Sequence, residues 1–96
     1  DPRNPRILVA KAQFLIELQR FPEAIEVLDK IETITPNLPT ALYSRFVMLL
    51  LTHKDQEAKQ IMSQLERLDP LAKHAAEEFM QRREQESRRQ TGAKAQ

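Results

Sequence analysis

Apolar residues recur at helical spacing in two separate stretches: Ala24, Val27, Leu28, Ile31 and Ile34, then Ala58, Ile61, Met62, Leu65 and Leu68. Steps of three and four residues put such side chains on one face of an α-helix and leave the charged ones on the other. A second helix precedes each stretch. The first of these begins at Pro5, where a missing N–H costs nothing, with Asn4 as its N-cap, and runs to about Leu18. Pro22 opens the next, which runs to about Thr35 and stops at Pro36. Pro39 opens a third that ends near Thr52; Asp55 caps a fourth that runs to about Leu68, where Asp69-Pro70 ends it. A last helix starts near Leu71, with Ala72, Ala75, Ala76, Phe79 and Met80 as its apolar face. The text after Met80, QRREQESRRQTGAKAQ, has no large apolar residue. It is expected to continue the helix for a few turns and to fray. The connections are short, so consecutive helices must lie antiparallel. The run Phe46–Leu51 is apolar on all sides. That pattern fits a helix packed by neighbours on both sides, and equally the floor of a groove.

The prolines fall at a fixed period. Pro2, Pro36 and Pro70 are separated by 34 residues, as are Pro5 and Pro39. The same shift pairs Leu8 with Leu42, Leu15 with Leu49, Glu23-Ala24 with Glu57-Ala58 and Glu32 with Glu66. Conservative pairs fill the gaps: Phe14/Met48, Ile16/Leu50, Val27/Ile61, Leu28/Met62, Ile31/Leu65 and Ile34/Leu68. So many matches in one register mark a duplicated unit, and a period of this size signals a repeat architecture.

Composition narrows the functions. A single glycine, Gly92, leaves no glycine loop to cradle phosphate and few positions for tight hairpins. Without cysteine there is no disulfide and no thiolate metal site. No run of 18 apolar residues reads as a membrane span, and the start carries no signal-peptide pattern. Residues 1–80 hold 10 Lys/Arg against 12 Asp/Glu, and residues 81–96 hold 5 against 2, so a mildly acidic body carries a basic end. That end is a weak nucleic-acid signal: Glu84 and Glu86 interrupt Arg82-Arg83 and Arg88-Arg89, and no aromatic stands nearby to stack on bases.

A 34-residue helix–turn–helix unit ending in proline resembles the tetratricopeptide repeat. The pattern positions are Leu8, Ala12, Leu15, Ala24, Leu28, Ile31 and Pro36 in one unit. In the next they are Leu42, Phe46, Leu49, Ala58, Met62, Leu65 and Pro70. The resemblance covers about residues 1–80. Lys11 and Arg45 stand where the family has leucine, and Phe46 where it has a small residue, so the helices around Phe46 are expected to sit further apart. The third unit has Ala76 and Phe79 but Arg83 where tyrosine belongs, and reads as a terminal helix. The resemblance implies an all-α fold of antiparallel helix-turn-helix repeats stacked as a short right-handed solenoid of about five helices. Residues 1–4 would end an upstream repeat, with units at 5–38 and 39–70, a capping helix at 71–82 and a charged tail at 83–96. The chain is thus expected to be a piece of a longer protein.

The resemblance also implies a function. First helices of the family line a concave groove that takes extended peptides or short helices of partner proteins. Carried onto this chain, the groove positions are Arg6, Val9, Gln13, Ile16 and Glu17, then Thr40, Tyr43, Val47, Leu50 and Leu51, then His74, Glu77 and Gln81. The positions of the Lys/Asn clamp for chaperone tails hold Val9, Gln13 and Ser44, which argues against that ligand. Tyr43 is a candidate anchor or a packing residue with its hydroxyl at the rim. Lys11 and Arg45 share a repeat position and form either a basic ladder or two side chains laid over the core with their heads in water. His53 and His74 have no ligand-spaced carboxylates around them, so no metal and no cofactor is expected. Glu77-Glu78 and Glu84/Glu86 read as a solvated face. Ser44, Ser63 and Ser87 lack a histidine-and-acid pattern, so no enzyme is expected. Two functions remain: a non-enzymatic protein-binding scaffold, or a structural module stacking on other repeats or on a second copy. The lack of cysteine fits the cytoplasm and leaves a bacterial periplasm open.

Overall fold

The computed structural model describes the backbone of residues 3–95 and the side chains of residues 3–89. The described residues form five helices and no strand: α1 (Pro5–Glu17), α2 (Phe21–Ile34), α3 (Pro39–Leu51), α4 (Asp55–Leu68) and α5 (Pro70–Ala95). Both ends of α1 and α3 differ by 34 residues, and so do both ends of α2 and α4. The sequence period is therefore a structural one: α1–α2 and α3–α4 are two copies of one antiparallel hairpin.

The hairpin turns repeat down to single hydrogen bonds. Gln19 and His53, again 34 apart, sit at φ 60° and 62°. The Arg20 N–H donates to the Leu15 carbonyl at 2.8 Å and the Gln19 N–H to Ile16 at 2.9 Å. Lys54 and His53 do the same to Leu49 and Leu50, at 2.8 and 3.1 Å. This left-handed cap satisfies the last carbonyls of α1 and α3 and reverses the chain. Asn4 caps α1 as expected, its Oδ1 accepting the Arg6 N–H at 3.0 Å. Asp55 does not cap α4: it is the first helical residue, and the N-cap is Lys54, whose side chain makes no cap bond. An acid in the first turn still faces the positive end of the helix dipole.

The joints between hairpins differ. Four residues, Thr35–Leu38, link α2 to α3, with Asn37 at φ 60° and its N–H donating to the Glu32 carboxylate at 3.3 Å. Asp69 alone links α4 to α5, and its Oδ1 accepts the Leu71 N–H at 3.0 Å. Pro36 is thus a linker residue, whereas Pro70 is the first residue of a helix. One period places the start of a third unit at residue 73, but α5 starts three residues earlier.

Helix α5 does not end near residue 82. It continues to Ala95 and includes Gly92, expected to lie outside every element; Gln96, like Asp1 and Pro2, lies outside the described residues. Its sequence lacks a core face there but is rich in good helix formers. Glu78–Arg82 at 4.0 Å and Glu84–Arg88 at 2.7 Å bridge one turn each. Such exposed pairs contribute about 0.3–0.5 kcal/mol apiece.

Helix α3 packs against all four other helices. Phe46, Met48, Leu49 and Leu50 are buried, Val47 is half-buried and Leu51 exposed, which explains the all-round apolar run. Phe46 is fully enclosed in a cluster with Leu49, Leu50, Ala58 and Ala76. Two alanines make room for the large ring. The other cluster joins Leu8, Ala12, Leu15, Ala24, Leu28 and Ile31 of the first hairpin to Ala41 and Met48 of α3.

Candidate functional site

A groove of about 440 Å3 opens between α1, α3 and α5. Gln13, Ile16 and Glu17 come from α1, Tyr43, Ser44, Val47 and Leu51 from α3, and Phe79 from α5; Gln19 of the first turn closes one end. The hairpin geometry positions these residues. Ile16 and Glu17 lie in the last turn of α1, held by the left-handed cap at Gln19. Tyr43 and Val47 are one turn apart on α3 and so share a face. The Tyr43 ring lies 6.3 Å from that of Phe46 and is tilted 34° to it, so the core orients it. Ser44 is buried beneath the groove; its hydroxyl donates to the Thr40 carbonyl at 3.1 Å and accepts from Gln13 Nε2 at 3.4 Å. This contact ties α1 to α3 across the groove floor. The floor is apolar and the rim is amide and carboxylate.

Six expected residues therefore come together: Gln13, Ile16, Glu17, Tyr43, Val47 and Leu51. Thr40 lines an adjoining cavity of about 140 Å3, shared with Gln13, Tyr43, Asp69, Ala72 and Ala75. The others lie elsewhere. Val9 is buried in the core and offers a partner little surface. Arg6 is exposed outside both cavities. Leu50, Glu77 and Gln81 line a different cleft, about 740 Å3, with Asp55, Lys59 and Met62 of α4 and Arg83 and Glu84 of α5. That cleft is larger but rimmed by charges of both signs. His74 is exposed, 3.2 Å from Glu78.

The misplacements on α5 have one cause. His74, Glu77 and Gln81 were placed by the 34-residue shift, but α5 presents Ala72, Ala75 and Phe79 to the grooves, two residues earlier each time. The one-residue joint at Asp69 brings α5 in early and turns its face. The apolar spacing of Ala72, Ala75/Ala76 and Phe79 already marked that face. Ser44 was readable too, since it follows Tyr43 at the start of the apolar run. Gln19 carried no sequence signal beyond its place in a turn.

Glu17 is the charged residue that lines the groove, and the ion pairs lie outside it. Arg45 Nη2 bonds Asp29 Oδ1 of α2 at 2.8 Å, so Arg45 joins the two hairpins instead of forming a basic ladder with exposed Lys11. Lys73 Nζ bonds Glu66 of α4 at 2.9 Å and stands 3.7 Å from Glu77. The Glu66 hydrogen bond and charge hold the Lys73 ammonium above its ordinary range, partial burial opposes this, and Glu77 adds to it. Among the described residues, no group of three or more His, Asp or Glu could hold a metal ion. No helix among them is long and apolar enough to cross a membrane.

Compared with family models, with curated proteins and with solved structures, the chain matches none.

Proposed function

We propose that the chain is a non-enzymatic protein-binding module of the tetratricopeptide kind, taking an apolar or amphipathic peptide segment of another protein in the α1–α3–α5 groove. One observation carries the reading: six of the thirteen residues that the resemblance assigns to a groove line a single cavity, together with Phe79. The 34-residue displacement of the two hairpins supports the repeat assignment. The chemistry suits a peptide. Ile16, Val47, Leu51 and Phe79 give an apolar floor, Tyr43 supplies an amphipathic ring, and Gln13 and Glu17 offer polar contacts at the rim. A peptide-display library selected on the immobilised chain tests this. Selected peptides should be amphipathic, and Val47→Glu should abolish their binding while helicity stays unchanged. Peptides that bind Val47→Glu as well as the parent chain would remove the groove from the reading.

A further inference from the structure

Helix α1 leaves a row of apolar side chains uncovered: Ile7 is 53% exposed, Phe14 59% and Leu18 50%. With Lys11 they follow steps of four, three and four residues and so form one stripe. Scattered exposed leucines need no explanation, but three large side chains in a row do. The residues displaced by one period are Ala41, Arg45, Met48 and Thr52 of α3. That face of α3 is occupied. Ala41 and Met48 are buried in the cluster shared with α1 and α2, Arg45 pairs with Asp29, and Thr52 is half-buried. Thus α3 uses this face to dock on a preceding hairpin, and α1 presents the equivalent face to solvent. Pro2 also precedes α1 at the interval by which Pro36 precedes α3.

We propose that the Ile7–Lys11–Phe14–Leu18 face docks a further helical hairpin of the same repeat, carried on the polypeptide ahead of α1. Its second helix sets a carboxylate against Lys11, as Asp29 is set against Arg45. Ile7 and Leu18 are larger than Ala41 and Thr52, so the docking hairpin carries smaller side chains opposite them than α1–α2 does, because interiors are packed to constant density. A second copy of this chain is a poorer occupant: its α1–α2 surface, the one that accepts such a face, is already covered by α3. This face is separate from the peptide groove, to which Ile7, Phe14 and Leu18 contribute nothing.

The test uses Phe14→Trp as a reporter. In the chain as it stands, the indole should emit as a solvent-exposed one. A tandem chain is then made with an added copy of residues 5–38 joined directly ahead of Pro5. Docking should shift the emission to the blue and make the Trp signal unfold together with the rest of the chain. Lys11→Glu beside the reporter should lower the urea midpoint of the Trp transition, and Asp29→Lys in the added copy should restore it. A recipient with Ile7→Ala, matching Ala41, covers the case in which Ile7 is too large for the copied surface. The proposal is overturned by an unshifted spectrum in both recipients, or by a Trp unfolding midpoint that ignores Lys11→Glu. A concentration-dependent shift in the unextended chain would overturn it as well, since the face would then take a second copy.

Discussion

Gln19 and His53 hold the left-handed backbone on which both hairpins turn, and neither is glycine. For a residue with a Cβ this conformation costs about 1–2 kcal/mol. Glycine removes that cost but loses about 0.5–1 kcal/mol more entropy on folding. Both side chains are exposed, so little packing is lost on truncation. The balance for Gln19→Gly or His53→Gly is a gain of roughly 0.5–1 kcal/mol each, or about 4–8 °C in Tm per kcal/mol for a domain of this size. The assay is urea unfolding followed by far-UV circular dichroism, on each single variant, the double variant and Gln19→Ala. The alanine keeps the Cβ and should leave the midpoint unchanged. The glycines should raise it without changing the slope. The two turns belong to different hairpins, so their effects should add within about 0.5 kcal/mol. A glycine that lowers the midpoint at either turn would refute the argument, because it would mean that the turn does not use the left-handed cap.

Other consequences can be measured on the same chain. Phe46→Ala empties the site between Ala58 and Ala76 and should cost about 3–5 kcal/mol, a large part of the roughly 5–14 kcal/mol expected for 96 residues; a loss below about 1 kcal/mol would show that the ring is not enclosed. Asp69→Ala removes the cap of α5 and should cost about 1 kcal/mol in thermal unfolding, with Asp69→Asn retaining most of it. Lys73 has its folded pKa raised by Glu66, so its contribution is fully present below the ordinary lysine value of 10.5 and is lost as pH rises through the folded value. Lys73→Met should therefore lower Tm at neutral pH and make little difference in strong alkali; an equal effect at both would assign the loss to packing.

The first four helices were legible because two independent signals agreed on them. Helical periodicity gave the faces, and the 34-residue proline register gave the ends. Phe46 shows how far a single position can be read. Its size at a small-residue site predicted spread helices; the ring is enclosed in a cluster with two alanines, and one of them, Ala76, comes from a helix that register alone misplaced. The register failed at α5 because proline does two jobs. It can end a helix or begin one, and at Pro70 it begins α5 directly after Asp69. Local chemistry does not encode that choice; the length of the joint does. Six of the ten positions placed on α1 and α3 therefore share one groove, and those placed on α5 fell two residues late. A few turns of α5 were expected after Met80, but its extent to Ala95 had no periodic signal: with nothing to bury, a charged stretch rests on propensity and ion pairs between neighbouring turns.

The central place of α3 bears on how the molecule comes apart. Among the described residues, neither helix of the first hairpin packs against α4 or α5 except through α3. No opening that removes α3 can leave the two sides joined, so its amides should be among the slowest to exchange with solvent. The outer helices are under no such constraint, and the first hairpin can detach while α3–α5 stay associated. The groove has one wall on each side of that line of separation. Its mouth can widen at the free energy of a partial opening, well below that of global unfolding, and a peptide lodged between Ile16 and Phe79 would act as a cross-link that makes the two halves melt as one.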